Sequence, residues 1–256
     1  QLAGREAYWM AEAARMAQDN GAQVIDINMG CPAKKVVNGY SGSALLKDLD
    51  HALTLIEAVV GAVSVPVTLK TRLGWDDQIR NAPDLARRAE AAGIAMITIH
   101  GRTRCQFYKG KADWSAIAEV SQAVDIPVIA NGDITNAETA RTAMQAAQSA
   151  GVMIGRGAQG RPWMLAQVAS AFAGRAPALP PVGDALCDMV LGHYEAMLGF
   201  YGVDLGLRVA RKHLGWYMDA AGTAALARRA ILTATAQQQV TRLLRTAFTS
   251  DVEAAA

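Results

Sequence analysis

Five short, β-branched runs recur in the first 155 residues, and each is followed by a stretch long enough for a helix. This alternation restricts the fold more than any other feature. The runs are 24–28 (VIDIN), 66–70 (PVTLK), 96–100 (MITIH), 127–131 (PVIAN) and 152–155 (VMIG). Their largely apolar character predicts parallel strands covered on both faces. Between the first two, apolar residues at 45, 46, 49, 52, 53, 56, 59 and 60 follow a 3.6-residue rhythm. Asn81 and Pro83 mark the start of a helix over 85–92. Thr135-Asn136-Ala137-Glu138 has capping-box spacing for a helix running to about 149. Repeated strand–helix units imply a parallel sheet, as a TIM-type (β/α) barrel or an open doubly wound sheet. No GxGxxG follows an early strand, which disfavours the dinucleotide-binding form of the second.

The pattern breaks at 174–183 (GRAPALPPVG), rich in proline and glycine and without period. Beyond it the strand signal ends, and 184–201, 207–219 and 224–247 read as helices. The chain is therefore expected to comprise an α/β domain over 1–174, a linker over 175–183 and a small all-α domain over 184–256.

Charge and cysteine usage exclude several classes. Lys and Arg number 25 against 23 Asp and Glu, so affinity for nucleic acid has to come from local patches. The three cysteines, Cys31, Cys105 and Cys187, lack metal-ligand spacing and leave no even disulfide framework. No apolar run approaches the roughly 18 residues of a membrane span, and no signal peptide opens the chain. A soluble, reduced, cytoplasmic protein with neither metal nor membrane is expected, as a monomer.

Candidate chemistry collects where the runs end. The closing residues are Asn28 with Cys31, Lys70 with Arg72, His100 with Arg102, Asn131 with Asp133, and Gly155 with Arg156. In parallel α/β folds that rim carries the active site. Cys31 sits between Gly30 and Pro32 and is followed by a basic, glycine-rich loop; the same residues would also suit a buried structural cysteine. The loops NGDI and GRGAQG put glycines and an arginine where barrels bind phosphate. Cys105 and Cys187 are expected to be incidental, since a catalytic thiol needs an electropositive, accessible setting, and Trp75, Trp114 and Trp163 are expected to pack loops. From Arg208 to Arg245 there are seven basic residues against one acidic, Asp219. Arg208, Arg211 and Lys212 share a helical face, a stripe that fits phosphate contacts or a merely solvated surface.

Five spaced motifs, INMGCPAKKV, VTLKTRLGW, ITIHGRTRCQFYKGKADW, IPVIANGDI and GVMIGRGAQGRPW, together resemble the bacterial tRNA-dihydrouridine synthases, most nearly the B subfamily. The resemblance runs in order to Trp163 and continues more weakly through VARKHLGWYMDAAG. It implies an FMN-containing barrel that reduces uridines of tRNA to 5,6-dihydrouridine, with NADPH as reductant. By the same resemblance Cys31 matches the catalytic cysteine and Asn28 the residue holding the uracil ring. Lys70 and His100 match positions lining flavin and substrate, and Gln1 a glutamine on the flavin ring. Asn131, Gly132, Asp133, Gly155 and Arg156 fall in the FMN-phosphate loops. Arg72 and Arg102 stand where positive charge is directed toward cofactor or RNA, and are assigned to substrate.

Saturating the uracil 5,6 double bond needs a hydride on carbon 6 and a proton on carbon 5. A thiol, ionising near ~8.5 in water, is protonated at working pH yet able to give its proton up. Measured against the family, the first two strands, most of the third and a Pro-Met-Ala-Gly segment are absent. The expected fold is thus a barrel lacking those strands, with Gln1–Gly4 as a strand stub, poor FMN binding and a tendency to aggregate. Three alternatives stand beside the synthase: an impaired RNA-binding remnant, another flavin-dependent barrel acting on a small pyrimidine, and a hydrolase using Cys31 with His100 as base.

Overall fold

The computed structural model describes residues 1–249; the end of the expected helical tail, 250–256, lies outside the described residues. The chain divides into two compact units, Gln1–Gly155 and Arg156–Ala256.

The first unit runs α1 (Ala7–Asp19), β1 (Ile25–Asn28), α2 (Lys34–Val37), a 3-10 turn (Gly42–Lys47), α3 (Leu49–Val60), β2 (Val67–Arg72), α4 (Ala82–Ala91), β3 (Met96–His100), α5 (Ser115–Ser121), β4 (Val128–Asn131), α6 (Ala137–Ala147) and β5 (Gly151–Met153). The five strands form one parallel sheet in chain order. Leu2 extends it by a parallel bridge to Ile27: its N–H donates to Asp26 O and its carbonyl accepts from Asn28 N, both at 2.8 Å.

Register separates the two faces of the sheet. Asn28 pairs with Lys70 and Lys70 with Thr98; Arg72 pairs with His100 and His100 with Asn131. Paired residues project to the same side, and alternate residues of a strand return to it. Asp26, Asn28, Thr68, Lys70, Arg72, Thr98, His100 and Asn131 therefore share one face. Ile25, Ile27, Val67, Leu69, Ile97, Ile99, Val128 and Ala130 occupy the other and are buried in the core with Met10, Leu55, Leu85 and Ile117 from the helices. Helices α1, α3, α4, α5 and α6 pack each against the next as one layer.

The central strands β2 and β3 are buried on both faces, as expected, whereas β1 and β4 alternate buried with half-buried residues. The runs look apolar because threonines and single polar residues interrupt them, yet those interruptions fall at period two. Asp26, Thr68 and Thr98 belong to a polar face that is itself buried at Thr68 and Thr98 in the central strands.

Local chemistry moves several helix starts. The rhythm from 45 does not begin one helix: 42–47 forms the 3-10 turn, and Asp48 Oδ1 accepts from His51 N at 3.0 Å to start α3. The cap of α6 is Asn136, one residue later than expected, with Thr139 completing the reciprocal box. Asn81 precedes α4, but its Nδ2 donates to Leu46 O at 2.8 Å instead of capping the helix. Helix α1 leaves little sequence signal because the residues it buries include alanines, Ala11 and Ala14, beside Met10.

The regular structure of the second unit, within its described residues, is all helix: a short 3-10 turn (Arg156–Ala158), α7 (Met164–Phe172), α8 (Gly183–Tyr201), α9 (Val203–Ala221), α10 (Ala225–Thr233) and α11 (Gln237–Thr249). The stretch expected as one helix over 224–247 is two, separated where Ala234 turns extended. The division after Gly155 falls earlier than the proline-rich stretch, and the packing gives the reason. Trp163 joins the core of Leu186, Val190, Tyr194, Leu214 and Met218. Gly160, at φ +71, lies so close to the Trp216 backbone that a Cβ would come within 2.1 Å of its carbonyl oxygen. Among the described residues no helix is long and apolar enough to cross a membrane.

Candidate active site

The polar face of the sheet ends in the loop that carries Cys31. Asn28 closes β1 and turns its side chain toward the residues that follow, its Oδ1 accepting from the N–H groups of Gly30 and Cys31 at 3.0 Å each. Its Nδ2 donates to Gln1 Oε1 at 2.9 Å, and Gln1 Nε2 donates to Asp26 at 2.5 Å. Thr68 Oγ1 holds the other Asp26 oxygen at 2.7 Å. This chain of bonds fixes the turn before the thiol. On the far side, Ser43 is fully buried, and its N–H and Oγ both donate to Cys31 O, at 3.1 and 2.8 Å. Gly42, at φ +60, leaves room for that clasp, since a Cβ there would lie 2.8 Å from Cys31 O. Cys31 itself is half-buried.

Lys70 stands beside Asn28 in register. Its ammonium has no hydrogen-bond partner among the described residues. Burial, followed by the charge of Arg72, lowers its pKa; Asp26 and Cys31 act in the opposite direction. Arg72 is 2 % exposed and donates to three backbone carbonyls: Gly30 through Nε at 2.8 Å, Thr103 and Phe107 through Nη1 at 3.1 and 2.9 Å. Burial is the main reason its pKa falls to about 10. A buried guanidinium held by neutral carbonyls keeps its positive charge in the site.

Arg102 is equally buried but has a counter-charge. It forms a two-point ion pair with Asp133 at 2.9 and 2.6 Å and donates to the carbonyls of Lys109 and Gly110. Asp133 also accepts from Ala112 N at 2.8 Å. Arg102 Nη1 lies 3.3 Å from His100 Nε2. A guanidinium can only donate, so Nε2 is the acceptor and the His100 proton resides on Nδ1. Burial, then the charges of Arg72, Lys70 and Arg102, push the His100 pKa down to about 3. The imidazole is neutral at physiological pH and can donate through Nδ1.

Gly132, at φ +116, abuts the His100 ring: a Cβ there would lie 2.8 Å from Cδ2. Trp114 Nε1 donates to Gly132 O at 2.8 Å, and Asn131 Nδ2 donates to Met153 O at 2.9 Å. A Cβ at Gly155 would meet nothing within 4 Å. Asn28, Gln1 and Cys31 are thus joined by hydrogen bonds, Lys70, Arg72, His100 and Asn131 by sheet register, and Arg102, Asp133 and Gly132 by their packing around His100. Gly155 closes the first unit, whereas Arg156 opens the second. Among the described residues no group of three or more His, Cys, Asp or Glu side chains could hold a metal.

The family model described as "Dihydrouridine synthase (Dus)" matches residues 1–253. The chain belongs to the dihydrouridine synthase family. It is 61% identical over 255 residues to the "Probable tRNA-dihydrouridine synthase" of Rhodobacter capsulatus, covering 100% of this chain and 78% of that protein. With the protein of the same name from Rhizobium leguminosarum bv. phaseoli it shares 58% identity over 219 residues, 86% of this chain and 67% of the relative. With the "tRNA-dihydrouridine synthase B" of Xanthomonas campestris pv. campestris it shares 52% over 217 residues, 85% of this chain and 65% of the relative.

In this dihydrouridine synthase the supports of the Cys31 loop carry little signal in the sequence. Ser43, Asp26 and Thr68 bind the residues that hold or follow Asn28. An aspartate inside the run VIDIN was the available signal for the second of these. Trp114 does hold a loop, through its bond to Gly132.

Proposed function

We propose that the protein is an FMN-dependent tRNA-dihydrouridine synthase whose polar sheet face is the inner face of a (β/α) barrel. One observation carries the site assignment: register places Asn28 beside Lys70, and Arg72, His100 and Asn131 in one row, at the strand ends from which the Cys31 loop springs. A single helical layer over the opposite face supports the barrel over a doubly wound sheet.

The residues suit a flavin phosphate. Lys70 offers an unengaged ammonium, His100 a neutral donor, and the loops at Gly132 and Gly155 lack the side chains that would crowd an anion. In this reading Lys70, His100, Asn131, Gly132 and Gly155 hold FMN. When bound, FMN supplies the hydride for carbon 6 of the uracil ring and is restored by NADPH. Cys31 gives its proton to carbon 5, and the clasp from Ser43 and Asn28 keeps the thiol where that transfer requires it. Positive charge from Lys70 and Arg72 steadies negative charge developing on the uracil carbonyls. Gln1 and Asp133 act at one remove, Gln1 by holding Asn28 and Asp133 by holding Arg102.

A hydrolytic use of Cys31 needs a base. His100, held neutral near three cations with Nε2 turned to Arg102, is a poor one. The test is incubation of the purified chain with FMN, NADPH and unmodified tRNA, followed by nucleoside mass spectrometry. Dihydrouridine formed by the parent and lost in Cys31→Ala is the expected result. Its absence from the parent, with flavin bound and tRNA intact, would defeat the proposal.

A further inference from the structure

Trp75, just beyond β2, has two cations at its ring. Lys47 Nζ lies 3.8 Å from the ring centroid and the Arg104 guanidinium carbon 4.7 Å. Lys47 ends the 3-10 turn that follows the Cys31 loop, and Arg104 lies in the loop after β3. The loops of Trp75 and Arg104 are tied together, Arg104 N to Gly74 O at 2.9 Å and Cys105 N to Trp75 O at 2.8 Å. Among the described residues neither cation has a carboxylate within ion-pair distance, and the buried Nε of Arg104 has no hydrogen-bond partner. By contrast Arg80, in the loop after β2, is paired with Asp77 and Asp113.

An aromatic face attracts a cation without cancelling its charge. An indole that holds two basic groups at a rim therefore fixes their positions and leaves their charge available, which suits an anionic ligand. The loop carrying Lys47 begins at the Ser43 clasp on Cys31, so the cluster borders the place where a nucleotide would enter.

We propose that Lys47 and Arg104, held on Trp75, form a phosphate-binding subsite for the RNA strand next to the reacting uridine. This rests on the reading of the protein as a tRNA-dihydrouridine synthase. Each side chain neutralises one backbone phosphate, and Trp75 positions both.

The experiment measures binding of unmodified tRNA by the FMN-loaded protein across a salt series, for the parent, Lys47→Gln, Arg104→Gln and Trp75→Leu. Removing the cation that neutralises one phosphate lowers the slope of log K against log salt by roughly one and weakens binding about 5- to 10-fold at 0.1 M salt. Lys47 is exposed, so its substitution tests the idea even if the Arg104 variant folds poorly. The expected result is a reduced slope for Lys47→Gln and Arg104→Gln, weakened binding for Trp75→Leu, and an unchanged rate of flavin reduction by NADPH. Parental slope and affinity in Lys47→Gln and Arg104→Gln would overturn the subsite, as would a defect confined to NADPH. Whether the parent makes dihydrouridine is read separately, so a protein that binds tRNA through these residues without reducing it would refute the activity and leave the subsite standing.

Discussion

Acidification should expose the electrostatic cost built around His100. The ring is 8 % exposed, and its pKa lies at about 3 against an ordinary value of 6.5. Burial is the first cause and the neighbouring charges of Arg72, Lys70 and Arg102 follow. The folded chain refuses a proton that the unfolded chain accepts below ~6.5. The stability carried by the neutral ring is therefore complete above that pH and is lost as pH falls toward 3. At pH 5 the unfolded imidazole is almost wholly protonated and the folded one is not, which costs about 2 kcal/mol. The chain has four histidines, few enough to assign each imidazole resonance by single substitution. The His100 resonance should stay unshifted from pH 8 to 5. Between pH 7 and 5 the urea unfolding free energy should drop about 2 kcal/mol further in the parent than in His100→Gln. A His100 midpoint near its ordinary value, or equal drops in the two proteins, would refute the burial and the surrounding positive charge as the forces that hold the ring neutral at pH 5.

Three further substitutions probe the site. Cys31→Ala should lower tRNA reduction by at least ~100-fold while leaving flavin affinity intact, read by nucleoside mass spectrometry and flavin fluorescence titration; retained activity would remove the thiol from the reaction. Asp133→Asn leaves buried Arg102 without its counter-charge and should cost about 3 kcal/mol, measured by chemical denaturation; a loss below ~0.5 kcal/mol would mean that the carbonyls of Lys109 and Gly110 suffice. Gly132→Ala puts a methyl group against the His100 ring at a backbone angle that L-residues rarely adopt. It should cost about 2 kcal/mol and move the His100 resonance; an unshifted resonance would show that the loop yields instead.

The site was legible in the sequence to different depths. The closing residues of the strands announced the rim, because polar groups at the ends of β-branched runs have few structural uses. Their individual duties were not legible. Arg72 and Arg102 read as free positive charge for a ligand, whereas Arg72 stitches the Cys31 loop to the loop after β3 through three carbonyls, and Arg102 is bound to Asp133. Nothing in a linear pattern states that a guanidinium 31 residues from a carboxylate will close on it. Helix starts shifted for a similar reason: Asn81 was drawn away by Leu46 O, a partner set by packing.

The order of strands and helices, the thiol after the first strand and the family itself were determined by the sequence alone, since period and motif are properties of neighbours along the chain. Only tertiary structure decided which side chains share a face of the sheet, which arginine has a counter-charge and which ring nitrogen carries the proton. Those depend on register and burial: pairing across strands converts alternating residues into a polar face, and exclusion of water then sets the protonation of what stands on it.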